Sequence, residues 1–243
     1  MVTDCRNCWL RKRPVFLPMS EVELDFMEEF KTGELKVDPG TTLMLEGSNS
    51  PQLFTVLDGM GLRYKTLEDG ERQVISFVMP GDFIGLQAGV MEEMQHSVES
   101  TTSMMLCVFD RRALWRLFRD HPERAYDLTW IAALEEHFLG EQLAVVGRMP
   151  AEQRLATGLL RLYDRAVALG MSNGPWMKLP YTQKDLADAL GLSVVHTNKT
   201  LKGLRDRGIL NWKNGDMEIR DYEALAGLAH QDPEEDVRRR PLI

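Results

Sequence analysis

The sequence predicts an α+β protein in which a double-stranded β-helix, or β-roll, is followed by a long helix and a winged helix-turn-helix. Three patterns carry this prediction. Residues 35–109 hold short apolar runs between glycine-containing turns, residues 121–147 have apolar residues at helical spacing, and residues 182–219 combine two short helices with a hairpin. The composition is that of a folded protein, since 44% of the 243 residues are hydrophobic and 27% are charged.

The predicted β-roll rests on a regular succession of strands and turns. Glycine-containing turns separate the apolar runs at Pro39-Gly40, Glu46-Gly47, Asp58-Gly59, Asp69-Gly70 and Pro80-Gly81. The strongest strand patterns are Leu53–Leu57, Gln73–Val78 and Met104–Phe109. Because Asp-Gly favours tight hairpin turns, we expect the strands that it joins to be antiparallel neighbours in a small sandwich or roll.

The predicted central helix has a repeating apolar face. Its members lie at steps of three, four and seven residues, and they are Ile131, Leu134, Phe138 and Val145. This spacing is close to that of two helices packed side by side, which predicts a dimer contact. An amphipathic helix lying on its own β-roll has the same periodicity, so both interpretations stay open at this point. Gly147 and Pro150 end the helix, and another helix is predicted over Ala151–Leu169.

The next segment predicts two short helices in succession. Thr182 is a suitable N-cap with Asp185 three residues later, and Gly191 breaks the helix. Ser193 can cap a second helix, which Gly208 closes. Two helices joined by a short turn with glycine have the spacing of a helix-turn-helix.

A hairpin is predicted directly after these helices. Two strand patterns, Ile209–Lys213 and Met217–Arg220, flank the dipeptide Asn214-Gly215. Asn-Gly is the strongest short-range signal of a two-residue hairpin turn. The hairpin would add a wing to the helix-turn-helix.

The outward face of the second helix is polar and basic. It holds Val195, His196, Asn198, Lys199 and Lys202. Asn can pair with adenine, Lys and His can donate to guanine acceptors, and Val can contact a thymine methyl group. Basic residues on a helix most often only meet solvent, but here they coincide with a helix-turn-helix and a wing. We therefore predict that this helix reads double-stranded DNA, with Thr182 and Ser193 at the two helix starts as further contacts.

Charge and motifs narrow the class of protein. The net charge of −8 does not contradict DNA reading, because attraction to phosphate is local and is screened beyond roughly 10 Å. The sequence has no run of membrane-span length and no signal-peptide pattern, so we expect a cytoplasmic protein without a membrane segment. The roll region offers His96 as its one histidine, and no Walker loop, nucleophile elbow or metalloprotease helix occurs, so we do not expect an enzyme.

The order of parts and four stretches of residues resemble the CRP/FNR superfamily of bacterial transcription regulators. These stretches are Val78-Met-Pro-Gly-Asp-Phe-Ile-Gly85, Thr102-Ser-Met-Met-Leu-Cys-Val-Phe109, Ala151-Glu-Gln-Arg-Leu-Ala156 and Leu190-Gly-Leu-Ser193. The resemblance implies that the roll is a cyclic-nucleotide-binding-like sensor. It also implies a homodimer that reads a palindromic operator and that can contact RNA polymerase.

The sequence departs from the members of the superfamily that bind cyclic AMP. Those proteins follow Gly with Glu and hold the phosphate with an Arg. Here Leu86 follows Gly85, and His96 stands at the position that matches the Arg. A buried anionic nucleotide would lack this counter-charge, so we expect no response to cyclic AMP.

The three cysteines fall on positions that match the iron–sulfur ligands of the FNR branch. Cys5, Cys8 and Cys107 match three of the four ligands, and Pro14 replaces the remaining one. The resemblance therefore implies an iron–sulfur cluster whose missing ligand would be a carboxylate such as Asp4, a water or a small molecule. A thiol switch is a second interpretation, and a plain buried Cys107 with no redox role is a third.

The predicted reading helix also departs from the FNR branch. FNR-type regulators place a Glu and an Arg four residues apart to read their half-site, whereas this sequence has Val195 and Lys199. We therefore expect no preference for the usual FNR-type half-site.

The predicted organisation has five parts. They are a cysteine-containing segment (1–20), a β-roll sensor domain (21–120), a dimerisation helix (121–147), a winged helix-turn-helix DNA-binding domain (148–229) and a solvated, mobile tail (230–243). A different class of function also fits this organisation. In that alternative, the chain binds a small molecule and regulates a partner protein without reading DNA directly.

Overall fold

The computed structural model describes residues 3–231 and 239–243. Its α-helices are α1 (Glu21–Phe30), α2 (Leu86–Met91), α3 (Leu114–Asp120), α4 (Pro122–Arg148), α5 (Ala151–Leu169), α6 (Gln183–Leu190), α7 (Val194–Asp206) and α8 (Tyr222–Ala229). Its strands are β1 (Lys31–Val37), β2 (Thr42–Met44), β3 (Gln52–Asp58), β4 (Gly61–Thr66), β5 (Arg72–Val78), β6 (Phe83–Ile84), β7 (Ser97–Ser100), β8 (Met104–Asp110), β9 (Ser172–Asn173), β10 (Trp176–Lys178), β11 (Leu210–Lys213) and β12 (Asp216–Ile219). Short 3-10 turns cover Cys5–Asn7, Leu10–Lys12 and Arg111–Ala113.

The N-terminal roll consists of two antiparallel sheets among the described residues. One sheet has the order β1-β8-β3-β6 and the other has the order β2-β7-β4-β5. Their inner faces share one apolar core, whose buried members include Val56, Val78, Ile84, Val98 and Leu106. The three strands predicted most strongly are β3, β5 and β8, and each begins and ends within one residue of its prediction. The predicted β-roll is confirmed.

The two Asp-Gly turns of the roll behave differently. The turn at Asp69-Gly70 joins β4 and β5, which pair as antiparallel neighbours as predicted. The prediction is wrong for Asp58-Gly59, because β3 and β4 belong to different sheets. Gly59 has a φ of 90°, and a Cβ added to it would lie 2.4 Å from the carbonyl oxygen of Ser103. The turn therefore carries the chain from one sheet to the other through a position where only glycine fits.

Helix α1, which the sequence analysis missed, packs a second core against the roll. It begins at a capping box in which Ser20 and Glu23 bond each other's backbone N–H groups. Its apolar face stacks aromatic rings, with ring centroids 5.4 Å apart for Phe26 and Phe30 and 4.9 Å apart for Phe30 and Phe109. The Ser-x-x-Glu pattern was the local signal for this helix.

The C-terminal part contains helices α5 to α8 and one small sheet. Helix α5 has the predicted bounds and ends at Gly170 in the left-handed conformation. The sheet has the order β11-β12-β10-β9, so the predicted hairpin is extended by two further strands. In this sheet, Ser172 and Asn173 pair with Met177 and Trp176.

The described chain divides into two compact units. The first contains the residues up to Glu136 together with Arg239–Ile243, and the second runs from His137 up to the last described residue before the gap, Gln231. The prediction of a solvated tail is wrong for its last three residues, because Pro241 is buried and Leu242 and Ile243 are only 3% and 4% exposed in the core of the first unit. Residues 232–238 of the predicted tail lie outside the described residues.

The strained turn at Gly59 gives a test of the roll. The substitution Gly70→Ala, at a left-handed position with open space, should lower the free energy of unfolding by about 1–2 kcal/mol. Gly59→Ala meets the same backbone penalty and also the Ser103 carbonyl, so it should cost on the order of 3 kcal/mol or more. Urea denaturation measures both, and equal losses would contradict the close approach at Gly59.

Candidate nucleic-acid interface

Helix α6 begins where Thr182 and Asp185 bond each other. The Thr182 hydroxyl accepts from the Asp185 backbone N–H at 3.1 Å, and an Asp185 carboxylate oxygen accepts from the Thr182 N–H at 2.8 Å. The Thr182 hydroxyl also donates to that carboxylate at 2.7 Å. These bonds satisfy donors that the first turn of a helix otherwise leaves unpaired. The predicted cap is confirmed.

A tight turn leads from α6 into α7. Gly191 ends α6 in the left-handed conformation, with a φ of 62°. The hydroxyl of Ser193 then accepts from the backbone N–H of His196 at 3.2 Å and so caps α7. Helix α7 ends at Asp206, one residue before the predicted end, and Gly208 follows with a φ of 72°. The predicted helix-turn-helix is confirmed.

Helix α7 has a buried and an exposed face. Thr197, Leu201 and Leu204 are buried, and the helix packs on α5, α6 and β11. All the residues predicted to read DNA from this helix are exposed, namely Val195, His196, Asn198, Lys199 and Lys202. Val195 is 80% exposed although it is apolar, so no described part of the chain covers it. Thr182 and Ser193 are exposed as well, at the two helix starts.

Two lysines on the exposed face of α7 have no carboxylate partner among the described residues. Arg207 pairs with Glu152, and Arg205 lies 3.8 Å from Asp206. In the part of the chain that the structure describes, no ion pair involves Lys199 or Lys202. These two ammonium groups are therefore free to meet an external anion.

The wing lies beside α7. Strands β11 and β12 pair as an antiparallel hairpin through Asn214 and Gly215, whose φ angles are 55° and 79°. These angles are those of the two-residue turn that favours Asn-Gly. A cleft between α7 and β11 brings Gln183 and Trp212 next to Asn198. The sequence analysis missed Gln183 and Trp212, because only tertiary packing places them beside the reading helix.

The predicted dimer contact on α4 needs correction. Val145 is only 1% exposed and Ile131 packs against the core of its own unit, while Leu134 and Phe138 are half-buried. By contrast, Leu139 and Leu143 are 48% and 74% exposed. The periodicity identified a helix with an apolar face. The chain itself covers Ile131 and Val145 of that face, whereas a dimer contact through Leu134 and Phe138 stays a prediction.

The cysteines come together at one pocket in the first unit. Cys5 and Cys8 are buried, Cys107 is half-buried, and all three line this pocket. Burial raises the pKa of the Cys5 thiol, and it raises the pKa of Cys107 to about 11 against the opposing charge of Lys31. The three cysteines therefore lie together, as predicted. The raised pKa values of Cys5 and Cys107 keep these two thiols protonated at neutral pH.

The pocket as it stands does not fit an iron–sulfur cluster. Such a cluster usually takes four thiolates, and the chain has three cysteines. Asp4, the suggested extra ligand, is exposed and accepts from the Arg6 N–H at 2.8 Å instead of lining the pocket. Among residues 3–231 and 239–243, no group of three His, Cys, Asp or Glu side chains is placed to hold a metal ion.

The interior of the roll contains a guanidinium that the sequence analysis missed. Arg63 is buried on β4 and donates to the carbonyl oxygen of Phe83 at 3.0 Å, beside the turn into Gly85. Its other nitrogen lies 2.6 Å from a carboxylate oxygen of Glu135 on α4. Burial, together with the charge of Arg63, lowers the pKa of His96 to about 4, so His96 is neutral at pH 7.

Two domain families match the chain. The Crp-like helix-turn-helix domain covers residues 153–228, and the cyclic nucleotide-binding domain covers residues 34–121. A sensor roll followed by a winged helix-turn-helix with an exposed cationic face defines a DNA-binding transcription regulator. No described helix has the length and apolar character that crossing a bilayer requires.

Known regulators resemble the chain over most of its length. The nitrogen fixation regulation protein FixK of Rhizobium meliloti is 30% identical over 195 residues, which cover 79% of this chain and 85% of that protein. The transcriptional activator protein FnrL of Cereibacter sphaeroides is 26% identical over 209 residues, which cover 85% of this chain and 83% of that protein. The solved structure of FixK2 from Bradyrhizobium japonicum is 25% identical, with a TM-score of 0.74 over 83% of this chain and 98% of that one.

The chain belongs to the CRP/FNR family of transcription regulators. This membership confirms the predicted fold and the predicted function of a DNA-binding regulator rather than an enzyme.

The raised pKa of Cys107 gives a test of the pocket. Only the thiolate reacts with iodoacetamide, so the alkylation rate of Cys107 in the reduced, metal-free protein should keep rising with pH toward about 11. Peptide mass spectrometry across a pH series measures this rate. In urea the same residue should titrate near the ordinary value of about 8.5. A folded-state profile that levels off near that ordinary value would contradict the buried environment.

Proposed function

We propose that the chain acts as a homodimer that binds a two-fold symmetric operator, and that redox state at its N-terminal cysteines controls this binding. The exposed face of α7 carries the proposal, because Lys199 and Lys202 project unpaired cations beside the polar side chain of Asn198. A helix with these groups, set next to a wing, is suited to the major groove and the adjacent phosphates.

The residues on α7 have distinct roles in this proposal. Asn198 is suited to paired bonds with adenine, and Val195 to contact with a thymine methyl group. Lys199, Lys202 and His196 can donate to guanine acceptors or to phosphate oxygens. No carboxylate stands at the first reading position, so the usual FNR-type half-site should not be preferred.

The dimer contact in this proposal uses the uncovered face of α4. Leu139 and Leu143 are its large exposed apolar residues, and Ala132, Gly140 and Ala144 provide small exposed neighbours. Two such faces can pack side by side, and a dimer that reads two adjacent half-sites must present its two copies of α7 roughly 34–36 Å apart, one turn of DNA.

Operator contact is tested by removing the unpaired cations. We expect Lys199→Ala and Lys202→Ala each to raise the operator Kd about ten-fold or more, since a base contact contributes on the order of 1–3 kcal/mol. A phosphate contact would instead reduce the salt dependence by about one unit of slope per substitution. Lys36→Ala on the roll, an exposed lysine with the same charge change, is the control.

Fluorescence anisotropy with labelled DNA, alongside sedimentation to verify the dimer, measures these effects. Unchanged DNA affinity of both variants as intact dimers would support the alternative, in which the winged domain contacts a partner protein.

The proposal includes no response to cyclic AMP. The sequence analysis expected this because no arginine stands at the phosphate position. The structure does contain a buried guanidinium, that of Arg63, but a carboxylate oxygen of Glu135 lies 2.6 Å from it and neutralises its charge. A nucleotide phosphate would have to displace the half-exposed Glu135 from Arg63 and would then stand beside its carboxylate as a second anion.

Titration calorimetry tests this expectation. We expect no binding of cyclic AMP by the unaltered protein at up to millimolar concentration. The variant Glu135→Gln frees the guanidinium and should gain measurable affinity for phosphate-bearing ligands, whereas Glu123→Gln, an exposed control on the same helix, should gain none. Micromolar binding of cyclic AMP by the unaltered protein would contradict the proposal.

Redox control is proposed because all three cysteines of the chain line one pocket. An iron–sulfur cluster is the first ligand to test, although the described arrangement would have to change to bind one, and thiol oxidation is the second. Anaerobic reconstitution tests the cluster: bound iron and sulfide with visible absorption, lost in Cys107→Ser, would show that the pocket rearranges to hold one. A colourless, iron-free product would eliminate the cluster. Operator binding that is equal in reduced and oxidised protein would then eliminate the thiol switch.

The place of action and the partner complete the proposal. A regulator that binds bacterial DNA works in the cytoplasm, where that DNA lies. One relative is named a transcriptional activator protein, so contact with RNA polymerase belongs to the proposal.

A further inference from the structure

Beyond the winged domain, the chain returns to the first unit as an added strand. The backbone N–H of Arg240 donates to the carbonyl of Val15 at 2.8 Å, and the N–H of Leu17 donates to the carbonyl of Arg240 at 2.9 Å. Phe16 and Arg240 form a parallel bridge between these bonds. Pairing of an extended peptide with an exposed strand-like edge is a general mode of peptide recognition.

The side chain of Arg240 occupies a socket in the roll. Its guanidinium lies 3.0 Å from a carboxylate oxygen of Asp82 and donates to the carbonyl of Pro80 at 3.2 Å. It also stands over the ring of Phe16, 5.1 Å from the centroid. Gly81 lines the socket, where a Cβ would lie 2.3 Å from the Phe16 ring and 3.0 Å from the guanidinium. The socket therefore matches this side chain in charge and in shape.

The last residues of the segment are anchored by buried donors. The Thr55 hydroxyl donates to the carbonyl of Ile243 at 2.5 Å, and the guanidinium of Arg124 lies 3.4 Å from the carbonyl oxygen of Leu242. Both donor residues are buried within the first unit, as are the side chains of Leu242 and Ile243. Without the segment Thr55 would lose this acceptor, and an unpaired buried hydroxyl is costly, whereas Arg124 would keep its carboxylate partners Glu23 and Asp127.

The docked segment forms part of the wall around the cysteines. Leu242 and Ile243 line the same pocket as Cys5, Cys8 and Cys107, and Ile243 packs in one apolar cluster with Cys5. Removing these two apolar side chains would open the pocket on the side that they cover.

We propose that Arg239–Ile243 is a strap that docks in a peptide-binding groove of the roll and thereby closes the cysteine pocket. Any agent that needs access to the thiols competes with the docked strap. Docking of the strap lowers the affinity of the open pocket for a ligand by some factor. Thermodynamic linkage requires that the bound ligand lowers the affinity of the roll for the strap by the same factor.

Thiol accessibility in the full chain tests this proposal, whatever the cysteines bind. The reduced protein, kept with a chelator, is alkylated with iodoacetamide, and the rate at each cysteine is followed by peptide mass spectrometry. Leu242→Asp and deletion of residues 239–243 should each raise the rate at Cys5 or Cys8 at least ten-fold. Arg239→Ala, which changes an exposed residue of the same strap, is the matched control and should leave the rates unchanged.

Two further measurements separate strap release from general unfolding. Thr55→Val removes an anchor from the roll and leaves the strap intact, so it should raise the same rates by a smaller factor. A synthetic Arg-Arg-Pro-Leu-Ile peptide, added to the deletion variant, should slow alkylation again. Equal rates in all variants, or no effect of the peptide, would overturn the proposal. Protection that disappears on dilution would show that the segment docks from a second copy, and it would overturn docking within one chain.

Discussion

Helix α7 can present a reading surface only because its other face is fixed by packing. Thr197, Leu201 and Leu204 bury one side of the helix against α5, α6 and β11. In a helix of 3.6 residues per turn, this assignment determines which residues remain outside. The exposed residues Asn198 and Lys199 follow from that constraint, and the caps at Ser193 and Gly208 determine where the helix begins and ends.

Three cations of the first unit pair with carboxylates of the same unit. Arg63 pairs with Glu135, Lys31 pairs with Glu34 at 2.8 Å, and the guanidinium of Arg240 pairs with Asp82. Removing one partner of such a pair leaves an uncompensated charge, which costs about 3–5 kcal/mol. The first unit matches the cyclic nucleotide-binding domain family, but its interior cation, Arg63, is paired with Glu135 on α4. In the proposed function, the sensor of this unit is the cysteine pocket instead.

Local signals predicted the winged helix-turn-helix almost completely. The caps at Thr182 and Ser193 and the turn at Asn214-Gly215 depend on a few neighbouring residues, and the structure has all of them. Helix α1 has an equally local signal, the Ser-x-x-Glu pattern of Ser20 and Glu23, which the sequence analysis did not use.

The failures came where partners are distant in sequence. Periodicity on α4 cannot state whether Val145 faces a second chain or its own, and Asp58-Gly59 has the same signal as a hairpin turn. Leu242 and Ile243 follow a charged run in the sequence. Their burial depends on residues that are distant in sequence, so no local pattern predicts it. Arg63 and Glu135 likewise meet only in the folded roll.

The central claim is that two copies of α7 read DNA together, and selection from random-sequence DNA tests it most directly. The full-length protein is used to enrich bound fragments over several rounds, and the fragments are sequenced. The account predicts an inverted repeat whose half-sites are centred about one helical turn, roughly 10 base pairs, apart. Enrichment of single, unpaired half-sites, or no enrichment above the starting pool, would contradict it.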